Sequence, residues 1–388
     1  MLPPERVTQT PILLPTACRC CGKPLHGFDP SPHQHQVVEI PRLLAQAHDY
    51  WLHSLPCEDC KICTRAELPA GVPAGCFGPR LQAMIAVCAG QYHLSKRMIQ
   101  EMMSDFFDAD LCLGSVSNIE QDTSAALAEP VARAAAYVQE QPVKHADETG
   151  WTEAKKRAWL WVVVANHVAV FLVDRSRGAA VARRLLGEVF QGILISDRWS
   201  AYNWIRAGMR QLCWAHLVRQ FKGFADHGEQ ARRIGNDLLA CCETLFDQWH
   251  RVRDGTLARA DFQQAMRPVR GKILVLLRQG SRGAVPKVAG RCREILKWQG
   301  ALFTFVGVAG VEPTNNTAER AIRPAVLWRK GSFGTDSEQG SRFVERILTV
   351  VTTLRLQRRN VLDYVTKACQ AHRHGQPAPD LLPPAAPA

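Results

Sequence analysis

Three acidic residues sit in settings that suit metal chemistry: Asp147 in HADETGW, Asp197 in ILISDRWSAY and Glu319 in NNTAERAIRP. Distant carboxylates brought to one place hold two divalent cations, and such centres cleave phosphodiesters and transfer strands by in-line displacement. Asp147 and Asp197 end apolar, strand-like runs, whereas Glu319 follows Pro313 and the helix-start residues Asn315, Asn316 and Thr317. Each acid taken alone has a plainer explanation. Asp197 suits a turn or a helix cap, and Glu319 suits a first helical turn, where the helix dipole favours a carboxylate. Asp147 has Glu148 beside it, and successive strand residues face opposite ways, so only one of the two can face a shared site. Glu312 and Glu345 compete for the third position, although Arg342 and Arg346 explain Glu345 as a local ion pair. Arg320 and Arg323 follow Glu319 on a short helix expected to stop at Pro324, with Arg329 and Lys330 just beyond. Such residues neutralise the phosphates that flank a scissile bond.

Charge supports a polyanionic partner. The net charge is +12, and the segment from Arg320 to Asn360 holds nine Arg or Lys against three Asp or Glu. Half the excess therefore lies beside Glu319, as on a phosphate-binding face, although such charge suits DNA, RNA or an acidic protein alike. Gly331, Gly334 and Gly340 lie among the same basic residues and predict a loop along a phosphate backbone. No GxxxxGK[ST] run occurs, so nothing points to ATP-driven chemistry. The longest strongly apolar stretch, Ala158 to Ala165, is too short to span a bilayer, and MLPPERVTQT lacks the pattern of a signal peptide. An intracellular protein is expected, and its 14 cysteines are then reduced thiols or metal ligands.

The elements that must position the acids are strand-rich from 143 to 214. Val143–Asp147, Arg157–Ala165, Val168–Asp174, Gly192–Asp197 and Arg210–Trp214 read as strands, with a hairpin at Asn166-His167 and a helix over Gly178–Phe190. Three strands, a helix, a strand, then a helix and a strand is the ribonuclease H order, which sets the first and fourth strands side by side. Asp147 and Asp197 end those two strands. Helical spacing returns over 71–130, 215–300, 316–324 and 340–370, while 301–308 fits a strand or a buried helix. Within the first helical region, Leu94–Phe107, with an apolar face at Met98, Met102 and Phe106, is followed by a second helix from Val116 to Thr123 capped by Ser115. The pair suits a helix-turn-helix or a small bundle that joins domains. Trp199, Tyr202 and Trp204 are expected in the core rather than stacked on bases. Cys213 and His216 lack further ligands at metal spacing, so Cys213 and Trp214 are expected to pack in the core, with His216 left near the active site. The Pro- and Ala-rich tail from Gln376 is expected to be disordered.

Cys18-x-x-Cys21, with Gly22 after it, and Cys57-x-x-Cys60 form two thiolate pairs that suit a closed, structural zinc site. Their spacing requires a folded excursion between them, with strands expected at 33–41 and Tyr50–Leu55. Cys20 and Cys63 compete as ligands, and His26, His33, His35 and His53 are weaker rivals.

HADETGW, SDRWSAY, LCWAHLVRQF and EPTNNTAERAIRP resemble the transposases of the insertion sequence 66 family, and the resemblance extends over about 15–370. It implies an α+β or α/β chain with a ribonuclease H-like core, a DDE triad at Asp147, Asp197 and Glu319, and two Mg²⁺ ions, or Mn²⁺ in their place. The implied activity is cleavage and strand transfer of insertion-sequence DNA ends. A structure-specific nuclease on the same fold, or an inactive DNA-binding regulator, is the alternative. The implied phosphate contacts are Arg320, Arg323, Arg329 and Lys330. The implied organisation is a flexible lead (1–17), a zinc-binding domain (18–70) with Zn²⁺ on Cys18, Cys21, Cys57 and Cys60, a helical DNA-binding or assembly region (71–140), a catalytic domain (141–375) with a helical insertion at about 220–300, and a tail (376–388). Double-stranded DNA, a homo-oligomer on that DNA and accessory proteins of the same element are the implied partners, in the bacterial cytoplasm at the nucleoid. Family members commonly carry a further helical segment before the zinc module. They more often have Gly-Tyr after the second Asp, where this chain has Arg198-Trp199.

Overall fold

The computed structural model describes residues 1–73 and 75–384. Residues 1–73 hold little regular structure beyond one antiparallel ribbon, β1 (Ser54–Pro56) with β2 (Cys63–Arg65). The strand expected at 33–41 does not form, because nearly every residue there is exposed and has nothing to pair or pack with. Of Tyr50–Leu55, only Ser54 and Leu55 enter β1.

Four helices follow: α1 (Pro79–Gly90), α2 (Lys96–Phe107), α3 (Leu113–Ala126) and α4 (Ala128–Glu140). Pro79 opens α1, where a missing N–H costs nothing. Ser95 caps α2 by accepting the Met98 N–H at 3.3 Å. Cys112, not Ser115, caps α3: its Sγ accepts the Ser115 N–H at 3.3 Å, so the helix starts earlier than expected. The face of α2 also differs from expectation. Ile99 and Met103 are buried, while Met98 and Phe106 are exposed.

The central sheet contains β3 (Val143–Glu153), β4 (Lys156–Ala165), β5 (Val168–Asp174), β6 (Ile193–Ser196) and β7 (Arg210–Leu212) in the order β5-β4-β3-β6-β7. The first three strands are antiparallel, and β6 and β7 add in parallel after the crossover helix α5 (Ala179–Leu186). The fourth strand thus lies against the first, as expected. Next come α6 (Trp214–Lys222), α7 (Glu229–Arg253), α8 (Arg259–Ser281) and α9 (Pro286–Lys297), the expected helical insertion. These helices share an apolar core that reaches Ile195 and Leu212 in the sheet. Residues 301–308 take the helical alternative, a short α10 (Thr304–Gly307). The chain closes with α11 (Asn316–Ser332), α12 (Glu338–Leu356) and α13 (Val361–Arg373).

One continuous core links α1–α4, one face of the sheet, α12 and α13, and it extends to Leu381. The tail is therefore not free up to Pro384. Leu381 is fully buried, Asp380 pairs with Arg133 at 2.9 Å, and the Tyr364 hydroxyl donates to the Pro379 carbonyl at 2.8 Å. An apolar residue in a Pro-rich segment found a pocket that composition alone does not reveal. Residues 385–388 lie outside the described residues. Among those described, no helix is long and apolar enough to cross a membrane.

Both sheet edges are occupied. On the β5 edge, α12 presents Glu345, Thr349 and Thr353, which accept the N–H groups of Val173 (2.7 Å), Phe171 (3.0 Å) and Ala169 (3.0 Å). The match is geometric. Four helical residues rise about 6 Å and two strand residues about 6.7 Å, so a helix running antiparallel to the strand meets every second N–H. Glu345, a rival for the catalytic position, is consumed in this ladder and by Arg342 at 3.0 Å. On the β7 edge, Gln211 donates to the Leu302 carbonyl and accepts the Phe305 N–H, and Thr304 donates to the Arg210 carbonyl. Replacing Thr349 by Val leaves the buried Phe171 N–H without a partner. Unfolding in urea is expected to show a loss of about 1–3 kcal/mol, and an unchanged midpoint would mean that the ladder contributes nothing.

Candidate active site

Register places the two aspartates. In the parallel β3–β6 pair, Val143 faces Ile193 and His145 faces Ile195, an offset of 50 residues. Asp147 and Asp197 have the same separation. β3 does not end at Asp147 as expected but runs on to Glu153, paired with β4, while Asp197 is the first residue past β6; continuing the register by two residues sets the two acids level, about 4.8 Å apart across the sheet. Alternation decides which acid of the Asp147-Glu148 pair faces the site. Asp147 pairs with Val162, on the face covered by α11 and α12. Glu148 points to the other face, where it is buried and accepts Arg177 (2.8 and 3.0 Å) and the Tyr202 hydroxyl (2.6 Å). Arg177 in turn stacks on Trp199 at 3.7 Å, and Trp204 packs on Phe190. The aromatics after Asp197 are thus spent in packing, as expected. Asp197 opens a turn through Oδ1, which accepts the Trp199 N–H at 2.8 Å, and the buried Arg210 donates to its carbonyl oxygen at 2.8 Å.

Glu319 reaches the site through Asn315. This residue sits at the N-cap of α11, but its side chain does not cap the helix. Nδ2 donates instead to the Ala146 carbonyl at 2.8 Å, and Oδ1 takes the His145 Nδ1–H at 3.3 Å. Its backbone N–H meets Cys213 Sγ at 3.2 Å. One buried amide thereby bolts the start of α11 to the strand carrying Asp147. The helix does not stop at Pro324 as expected but runs on to Ser332, taking Gly331 with it. Proline removes only the N–H that would bond the Arg320 carbonyl, and Ala318, Ala321, Ile322 and Ala325 bury the face that holds the helix down.

The charges are held in tension. Burial and the neighbouring Glu148, then Asp197 and Glu319, push the Asp147 carboxyl up to about 7, against a lowering bond from the Glu148 N–H. Burial brings His145 down to about 4, so it is a neutral spacer. Burial also lowers Arg210 to about 10. Among the described residues, no basic side chain pairs with Asp147. Oxygen donors on adjacent strands with unrelieved negative charge are the ligand set of Mg²⁺ or Mn²⁺, so the residues fit such ions.

Other expected residues fall differently. Arg320, Arg323 and Lys330 lie along one exposed stripe of α11. Arg329 turns inward and donates to Thr149 Oγ1 at 3.1 Å and to the Gly150 carbonyl, so it ties α11 to β3 rather than facing a phosphate. Cys213 and His216 do find a further ligand, because Glu319 Oε1 lies 3.7 Å from Cys213 Sγ and 3.5 Å from His216 Nδ1. Arg198 donates to Gln220 at 2.5 Å and lines an open cleft of about 580 Å³ with Asn203, Lys287, Arg291 and Trp298.

A family model described as Transposase IS66 family matches residues 74–342. The chain belongs to the IS66 family of transposases. Two proteins of Sinorhizobium fredii are similar to it. The uncharacterized protein y4qI is 29% identical over 249 residues, covering 58% of this chain and 46% of y4qI. The uncharacterized protein y4hP is 25% identical over 390 residues, covering 91% of this chain and 69% of y4hP. The aligned region thus spans about half of y4qI. All three carboxylates of this IS66-family chain lie inside the matched segment, and the paired cysteines lie before it.

Those cysteines make two alike turns. The Cys18 N–H bonds the Lys23 carbonyl and the Gly22 N–H bonds the Cys18 carbonyl, while Cys57, Ile62 and Lys61 repeat the pattern. Gly22 and Lys61 both take positive φ, 71° and 60°. Backbone N–H groups at Cys21 and Cys20 draw the Cys18 thiol down, and those at Cys60 and Asp59 do the same for Cys57. Each pair is shaped to hold a thiolate, yet the four sulfurs are not gathered. Among the described residues, three ligand atoms converge within 4.8 Å only at Cys213, His216 and Glu319.

The raised Asp147 carboxyl carries a stability consequence. Its ordinary value is 3.8 and its folded value about 7, so the metal-free fold loses stability as pH rises between them. Asp147→Asn is expected to raise the melting temperature of the metal-free protein above about pH 7, with the gain shrinking on acidification and gone near 3.8. A pH-independent difference would refute this origin.

Proposed function

We propose that this IS66-family chain is a DDE transposase with a ribonuclease H-like catalytic core, cutting insertion-sequence DNA ends and joining them to target DNA. The observation that carries this reading is the β3–β6 register that sets Asp147 and Asp197 level, with Glu319 tied across from them through Asn315. In this reading Asp147, Asp197 and Glu319 hold two Mg²⁺ ions, or Mn²⁺. When bound, the ions activate the attacking water, later the freed 3′-hydroxyl, and stabilise the leaving oxygen.

The chain's own groups do the rest. Asp147 must shed its proton before it can bind a cation, so binding weakens as pH falls below about 7. Asp197 keeps Oδ2 for the site while Oδ1 holds the turn. Arg320, Arg323 and Lys330 project from α11 beside Glu319 and neutralise flanking phosphates. We assign α2 and α3 to docking or assembly at the transposon end, and Zn²⁺ on Cys18, Cys21, Cys57 and Cys60 to folding and DNA docking of the N-terminal region. The DNA-bound form is read as a homo-oligomer, with accessory proteins of the same element as further partners.

The test uses the full chain, Mg²⁺ and duplexes ending in the terminal repeats of the element. The expected products are nicked ends with 3′-hydroxyls and strands joined to target DNA. Asp147→Ala is expected to keep end binding in a gel shift and to lose both products. A variant that still cuts, or a wild-type chain that binds and never cuts, overturns the reading, and cutting without joining indicates a nuclease. Arg323→Ala is expected to weaken binding to all duplexes alike and to lower the slope of log K against log salt by about one phosphate contact; an unchanged slope would place the DNA elsewhere.

A further inference from the structure

Glu319 has two neighbours that an oxygen-lined magnesium centre does not call for. Cys213 follows β7 and stands at the N-cap of α6, and His216 lies three residues on, within the first turn. Both therefore face Glu319, which arrives from 106 residues later in the chain. Sγ, Nδ1 and a carboxylate oxygen lie within 4.8 Å of one another.

Two further observations point to a ligand there. His216 Nδ1 is buried and has no hydrogen-bond partner, although Glu319 Oε1 is 3.5 Å away. A buried polar nitrogen without a partner is costly and rare unless something fills the gap. The sulfur is also surrounded by donors: the Asn315 N–H at 3.2 Å, and the N–H groups of His216 and Ala215 at the start of α6. Several N–H groups aimed at one sulfur are the surroundings of a metal-bound thiolate, whose charge they share.

We propose that Cys213, His216 and Glu319 form a transition-metal site, for Zn²⁺ by preference, set beside the aspartate pair and sharing Glu319 with it. A thiolate and an imidazole select a borderline cation over Mg²⁺. Three protein ligands leave the fourth tetrahedral position open, unlike the closed set of the paired cysteines. The site is defined by its own donors and stands whether or not the chain moves DNA. The shared carboxylate couples the two centres: a Zn²⁺ ion on Cys213 and His216 holds Glu319 away from ions on Asp147 and Asp197.

Metal binding to the full chain, without DNA, tests the site independently of transposition. Equilibrium dialysis followed by elemental analysis is expected to find about one Zn²⁺ per chain fewer in Cys213→Ser and in His216→Ala than in wild type. Cys57→Ser, by contrast, alters only the metal held by the N-terminal cysteines. Circular dichroism checks that each variant is folded. X-ray absorption on the loaded wild-type chain needs no variant. It is expected to show mixed sulfur, nitrogen and oxygen ligation beside any all-sulfur site. Equal metal content in wild type and folded variants, or a purely sulfur-ligated zinc shell in wild type, overturns the proposal.

Discussion

Three paired residues on each of two strands, the long β3 and the short β6, govern the molecule. The parallel contact of Val143–His145 with Ile193–Ile195 sets an offset that the sequence repeats between Asp147 and Asp197. A slip of one residue would turn one acid to the opposite face of the sheet. The hairpin strands, the crossover helix and the apolar runs before each acid all serve to hold that register. Glu148, the neighbour on the other face, is held inside the core by an ion pair with Arg177 and a hydrogen bond from Tyr202, yet its charge still helps to push the Asp147 carboxyl up.

The third acid depends on a different device. Asn315 lends its amide to the β3 backbone and to His145 rather than to its own helix, and the rest of α11 is laid down by small apolar residues and by Arg329. The carboxylates are thereby kept close while, among the described residues, no basic side chain relieves Asp147. Such repulsion is stored by the surrounding packing, as at other sites that trade stability for binding. In the proposed reading, acids held this way would offer a cation more than a flexible cluster, because their ordering would be complete before the cation arrives.

Much of this was legible in the chain. Apolar runs ending in Asp147 and Asp197, and the order of strands and helix, led directly to adjacent strands. The helical insertion and the crossover helix were equally plain from periodicity. What escaped was the part set by long-range partners. Asn315 read as a cap because nothing local reveals a carbonyl on another strand. Pro324 read as a stop because local rules do not weigh a well-buried face. Arg329 read as a phosphate contact and Glu345 as half of a local ion pair, yet a strand backbone claims both. Cys213 and His216 looked incomplete because their third neighbour lies 106 residues on. In the tail, a single leucine outweighed a composition typical of disorder.

The polar ladder of α12 along β5, with its counterpart beside β7, has a bearing on assembly. A bare strand edge is a template for another copy, and here the β5 edge has its row of backbone donors taken by α12, while on the β7 edge Thr304 claims the Arg210 carbonyl. In the proposed reading, copies of this chain gathered on a DNA end would not do so by adding to the β5 edge of the sheet. On that side they would meet through helix surfaces or be bridged by the nucleic acid itself, so that such a complex would answer to its DNA rather than to its own backbone.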